Sequence, residues 1–117
     1  MFHLHRDMTF WFYPHPTDMR KSFYTLCGIV TNAMGRNVRD GEVFIFVNRD
    51  RNCLKILHLE CGGLVLYHMR LETGCFKLPV FDPQSQSFHF SWEDLMLMVQ
   101  HRELITHRKK ARKKASE

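Results

Sequence analysis

The sequence predicts a single α+β domain: a twisted antiparallel β-meander of about four to six strands with two helices packed on one face. Three observations lead there. Residues 42–80 hold successive apolar, β-branched and aromatic runs, EVFIFVNR at 42–49, CLKILHLE at 53–60 and LVLYHMRL at 64–71. The links between them, DRN and CGG, are too short for a crossover, so neighbours must be antiparallel. Before and after this region, apolar residues recur at steps of three and four, the period of a helix. A chain of 117 residues suffices for one modest core.

The elements follow in order. TFWFY at 9–13 reads as a short strand, stopped by Pro14 and Pro16. Thr17 or Asp18 then caps a helix whose apolar face is Met19, Phe23, Leu26, Cys27, Val30 and Met34, with Gly35 as its stop. This frame places Arg20 and Lys21 in the first turn, where the helix dipole disfavours cations. After the loop RNVRDG come the three runs of the meander, a fourth at 75–80 (CFKLPV) and a fifth at 87–91 (SFHFS). Ser91 caps a second helix from Trp92 to about Leu104, with Glu93 and Asp94 in the turn where acids are favoured. In the first run, Val43, Ile45 and Val47 alternate with Phe44 and Phe46, so both faces are apolar. With only two helices on one face, some apolar surface is expected to remain for association.

The net charge of +5 is unevenly distributed. Residues 107–117 carry six bases (Arg108, Lys109, Lys110, Arg112, Lys113, Lys114) and one acid, whereas residues 1–106 carry 11 of each. The domain proper, 1–106, is therefore neutral, and 107–117 is a basic tail of the kind that either contacts nucleic acid or only aids solubility. No apolar run reaches the roughly 18 residues of a membrane span. The start, MFHLHRDM, has no apolar signal region, so a cytoplasmic protein is expected. Cys27, Cys53, Cys61 and Cys75 form no C-x-x-C pair, and without a secretory signal a disulfide framework is not expected.

PTDMRKSF, then GEVFIFVNRDRNCLKIL, then GGLVLYHMRLETGCFKLP stand in the order and spacing of one known family. Over about residues 8–80 the chain resembles the TnpB accessory proteins of the insertion-sequence-66 transposons, also called Orf2-like. It departs from them at Tyr24, where an acid is typical, and at Leu59–Gly63, where an aromatic-Asp-Gly turn is common. The resemblance implies a role in transposition beside a separate transposase that carries the strand-transfer chemistry. It implies no catalytic residue.

Four groups of residues are candidates for chemistry. Arg20 and Lys21, with the unpaired N–H groups of a helix N-terminus, would converge on one phosphate. The competing arrangement pairs Arg20 with the capping Asp18. Arg49, Arg51, Lys55 and Arg70 around the strands would form a band along a phosphate backbone, with Asn48 adding base or phosphate contacts. The competing arrangement is a solvated rim paired with Asp50, Glu60 or Glu72. Asp18, Asp50, Glu60, Glu72 and Asp82 show no spacing that would converge on two metal ions, so neither nuclease activity nor a cofactor is expected. His3 with His5, His58 with Cys61, and His68 with Cys75 match no zinc pattern, and Ser22 has no evident base.

The expected function is that of a non-catalytic accessory protein of DNA transposition. It would bind DNA, for which transposon ends are the natural candidate, the transposase or other transposon-encoded proteins, or both. A homo-oligomer fits this reading, and no membrane partner does. The alternative is a protein-interaction adaptor that uses an apolar sheet face without touching DNA.

Overall fold

The computed structural model describes residues 4–100. Five strands form one sheet: β1 (Phe10–Phe12), β2 (Val43–Val47), β3 (Cys53–Glu60), β4 (Gly63–Arg70) and β5 (Phe88–Phe90). They lie side by side in the order β4-β3-β2-β1-β5. Two helices accompany them, α1 (Phe23–Asn32) and α2 (Trp92–Gln100). The meander β2-β3-β4 is antiparallel, in register from Phe44↔Leu57 and Cys53↔Arg70 outward. The whole sheet is mixed, because β1 runs parallel to β2 (Phe10↔Val43) and β5 antiparallel to β1 (Phe10↔Phe90). Parallel neighbours need a crossover, and α1 with its flanking loops is that crossover.

The prolines explain where β1 ends. The Tyr13 N–H donates to the Ile45 carbonyl, but the next bond along β2 is from Thr17 N–H to the Val47 carbonyl. Pro14 and Pro16 have no N–H to give. The intervening residues bulge away, and the ladder stops at Phe12.

The two helices cover opposite faces of the sheet, not one. Phe10, Phe12, Val43, Ile45, Val47, Leu54, Ile56 and Phe90 point to the side where Leu95 and Met98 of α2 pack. Phe44, Phe46 and Leu57 point to the other side, against Leu26 and Val30 of α1. This is why every residue of β2 is buried. The apolar sheet face expected to remain open is covered there by α1. Only part of the expected α1 stripe is inside: Leu26 and Val30 are fully buried, while Phe23 at the helix start is exposed.

Two expected boundaries move. The run 75–80 is not a strand. It is tied down by the Phe76 N–H, which donates to the Arg51 carbonyl at 2.7 Å, and Phe76 fills the α2-side core. Helix α1 begins at Phe23 with Ser22 as its N-cap, not at Thr17 or Asp18. Instead Asp18 opens a turn. Its carbonyl accepts from the Lys21 N–H, and its carboxylate accepts from the Arg20 N–H. A short acidic side chain that satisfies a local N–H offers the backbone an alternative to helix. At the other end, the Arg36 N–H reaches back to the Val30 carbonyl around Gly35, at φ +68°. Helix α2 starts as expected: Ser91 Oγ accepts from the Asp94 N–H at 3.0 Å, and Asp94 Oδ2 accepts from the Ser91 N–H at 2.8 Å. This reciprocal arrangement is a capping box. The expected end of α2 at Leu104, and the tail, lie outside the described residues.

Two turns carry the meander. Between β2 and β3, the Asn48 carbonyl accepts from the Arg51 N–H, and Asn48 Oδ1 accepts from the N–H groups of both Asn52 and Cys53 at 3.0 Å. Between β3 and β4, Cys61 and Gly62 both have positive φ, +51° and +79°. That is the two-residue turn whose twist matches the strands, and cysteine is an unfavourable residue for its first position.

Asn48→Ala leaves two backbone N–H groups without their acceptor, and is expected to lower unfolding free energy by about 1–3 kcal/mol with an unchanged denaturant m-value. Cys61→Gly is expected to raise it by up to about 1 kcal/mol by relieving the left-handed backbone. Urea titration of the full chain measures both.

Candidate functional site

The expected base cluster assembles at one end of the sheet, where the Asp18–Lys21 turn meets the Asn48–Asn52 turn. A shallow groove of about 650 Å³ runs between them, lined by Pro16, Thr17, Asp18, Met19, Lys21, Asn48, Arg49 and Asp50. A smaller cleft of about 190 Å³ shares Asn48 and Arg49 with it and adds Tyr13, His15 and Arg51. Segments distant in sequence are held together by a buried amine. Lys55 on β3 is 8% exposed, and its Nζ donates to the Lys21 carbonyl at 2.8 Å. The α1 side of the sheet explains this placement: Lys55 stands opposite Phe46, and its stem runs up toward the chain just before the helix.

The candidate residues divide by what they already do. Arg20 projects from the turn with its side chain 91% exposed, but its Nε and Nη2 grip the Asp18 carboxylate at 2.6–3.1 Å. The side-chain and backbone hydrogen bonds from Arg20 hold the Asp18 carboxyl well below the usual carboxylate range, and Asp18 in turn raises the Arg20 guanidinium. Neither Arg20 nor Lys21 lies in the first turn of α1, so the site expected from a helix N-terminus and two bases is not built. The expected conflict of Arg20 and Lys21 with the helix dipole disappears with it. Asn48 is spent on the turn: beyond its Oδ1 bonds, its Nδ2 donates to Asn52 Oδ1 at 2.7 Å. Lys55 is a strut.

Lys21, Arg49, Arg51 and Arg70 are the other cations at this end. Arg49 is exposed at the turn apex. Arg51 sits at φ +59°, where a bulky side chain is strained, and is pinned by the Asn48 and Phe76 backbone bonds. Arg70 stands opposite Cys53 on the α1 face and directs Nη1 to its Sγ at 3.2 Å. Against the bases of the two turns, Arg20, Lys21, Arg49 and Arg51, stand Asp18 and Asp50, which leaves a local excess of two positive charges. The six tail bases lie outside the described residues.

Sequence reading did not assign His15, which lines the smaller cleft. Its signal is its position between Pro14 and Pro16, in a segment that cannot join the ladder. A second polar cluster sits elsewhere. The Arg36 guanidinium lies 3.7 Å from the Trp11 ring centre and donates to Glu42 at 3.0 and 3.3 Å. Burial pushes the Glu42 carboxyl up, but hydrogen bonding from Arg36, with the nearby Trp11 indole, outweighs it and holds the group below its ordinary value. Among the described residues no three His, Cys, Asp or Glu side chains gather as a metal site would require, and no helix is long and apolar enough to cross a membrane.

Residues 8–109 match the profile of the family described as IS66 Orf2 like protein. The chain is also 31% identical over 74 residues to the uncharacterized protein y4hO of Sinorhizobium fredii (strain NBRC 101917 / NGR234), across 63% of this chain. The match spans 64% of that relative's length. No solved structure matches the chain.

The division between strut and candidate ligand is testable. Lys55→Ala is expected to lower stability by about 1–3 kcal/mol, through loss of its hydrogen bond and its packed stem. Lys21→Ala, which keeps the carbonyl that Lys55 uses, is expected to change it by less than about 0.5 kcal/mol. Thermal or urea unfolding of the two variants checks the assignment.

Proposed function

Because the chain belongs to the IS66 Orf2-like family of transposition-associated accessory proteins, we propose that it works without catalysis of its own and holds DNA by the phosphate backbone during transposition, beside a separate transposase. The observation that carries this reading is the convergence of two basic turns on one groove, with Lys21 on one wall and Arg49 on the other. The groove's own lining sets Lys21 and Arg49 against Asp18 and Asp50, and the two positive charges in excess belong to the turns that flank it; a shallow, open groove between such turns suits a strand of phosphates better than a small substrate. Phosphate contacts position a protein on DNA without reading sequence, and neither turn presents a helix or ribbon shaped for a groove of the duplex.

The tail adds affinity of a different kind. Its six bases supply charge that the neutral domain lacks, while the groove fixes where the backbone lies. The adaptor reading is weaker, because the sheet face it would use is occupied by α1 at β2.

The test is a salt titration of binding to transposon-end DNA, with random DNA as control. Each lost phosphate contact flattens the slope of log K against log salt by about 0.9. Lys21→Ala with Arg49→Ala is expected to flatten it by up to about 1.8, and deletion of 107–117 to flatten it further, for both DNAs and with unfolding temperature nearly unchanged. Wild-type slopes in both folded variants would overturn the groove and the tail as contacts.

A further inference from the structure

Strand β4 is an edge. It pairs with β3 on one side, and among the described residues no strand lies on the other. Natural sheets guard their edges with short strands, charged residues, prolines or bulges. The opposite edge, β5, obeys this with three residues. β4 has eight residues and pairs with β3 without a bulge from Cys53↔Arg70 to Glu60↔Gly63. Its stretch GLVLYHM, 63–69, contains no lysine, proline or acid.

The direction of its backbone groups can be worked out. The Leu71 N–H donates to the Asn52 carbonyl. In an antiparallel ladder, alternate residues face alternate sides. Met69, Tyr67, Val65 and Gly63 therefore face β3, and Leu64, Leu66, His68 and Arg70 turn both N–H and C=O outward. None of these outward groups has a backbone partner among the described residues. Met69, on the α2 side of the same edge, is 41% exposed.

We propose that this edge is where a second copy of the chain binds: β4 pairs antiparallel with the partner's β4 about a two-fold axis perpendicular to the sheet, giving one continuous sheet. The inference does not depend on DNA binding. An axis through Tyr67 sets Leu64 against the partner's Arg70 and Leu66 against the partner's His68, so every outward N–H and C=O is satisfied. On the α1 side, no like charges meet in this register. On the α2 side, Val65 covers the partner's Met69 and the two Tyr67 rings are neighbours, an aromatic pair of the kind that stabilises sheets. An antiparallel edge of equal length is its own complement, which is the requirement for a closed two-fold dimer. A peptide from another protein would have to supply that match independently.

Sedimentation equilibrium of the full chain is expected to show a dimer of the 14.0 kDa protomer. His68→Pro removes an N–H that faces outward, so it should leave the β3 ladder intact and yield a folded monomer. Tyr67→Cys, in a Cys61→Ser background, is expected to form an intermolecular disulfide on mild oxidation, because directly opposed residues that do not exchange hydrogen bonds lie about 4.5 Å apart at Cα, within disulfide reach. In the same background, Val65→Cys should cross-link only when mixed with Met69→Cys. A monomeric wild type would overturn the proposal, as would a dimer that survives His68→Pro. If His68→Pro fails to fold, the cross-links decide: absence of the Tyr67→Cys disulfide also overturns it.

Discussion

Strand β2 is buried on both faces and paired on both edges, and the rest of the molecule is arranged to permit that. Val43, Ile45 and Val47 face one way and Phe44 and Phe46 the other, and all five are buried. A strand like this must be covered twice, yet the chain has only two helices among its described residues, so each must take a different face. α1 takes its face by being the crossover between β1 and β2, which makes those strands parallel neighbours. α2 comes from the far end of the sequence, after β5 has added to the outer edge of β1. The sheet order thus follows from where cover is needed. Each Phe removed from water here contributes about 1.5–3 kcal/mol by burial, which outweighs the small preference for purely antiparallel pairing.

Covering the α1 face places a charge under the chain. Lys55 enters the sheet opposite Phe46 and can leave the interior only by reaching the carbonyl of Lys21. A buried amine without a partner would be far more costly than one so bonded. The strut draws the Asp18–Lys21 turn onto the end of the sheet beside the β2–β3 turn. The groove is in this sense a by-product of core packing: two turns that each carry bases are brought together where a lysine between them finds its acceptor. Some polar residues that look like ligands are consumed in building the groove, Asn48 and Lys55 above all.

The charge is divided between two parts of the chain: residues 1–106 are neutral and 107–117 carry the whole excess. On the proposed function, the tail would draw a polyanion in and the groove would place it. The proposed β4 pairing would use backbone hydrogen bonding in place of charge, and salt would weaken it less than a phosphate contact.

Local rules made much of this legible in the sequence. The meander could be read from three apolar runs and two short links, and the start of α2 from Ser91 with Asp94, because turn length and capping are decided within a few residues. Gly35 marked the end of α1 for the same reason. The start of α1 was misread, since Met19 continues the helical period by chance while Asp18 binds the Arg20 N–H and holds a turn there. The run 75–80 looked like a strand, but among the described residues it forms a bridge at Cys75 and no ladder. The clustering of bases at the strand ends was visible, but not which were struts, because that depends on a contact between residues 21 and 55. What the sequence determined by itself were the elements and their hydrogen-bonded ends. Only the tertiary structure decided that the helices lie on opposite faces, that β1 is parallel to β2, and that Lys55 is inside. Those outcomes turn on which surfaces compete for the same cover, and no local pattern contains that competition.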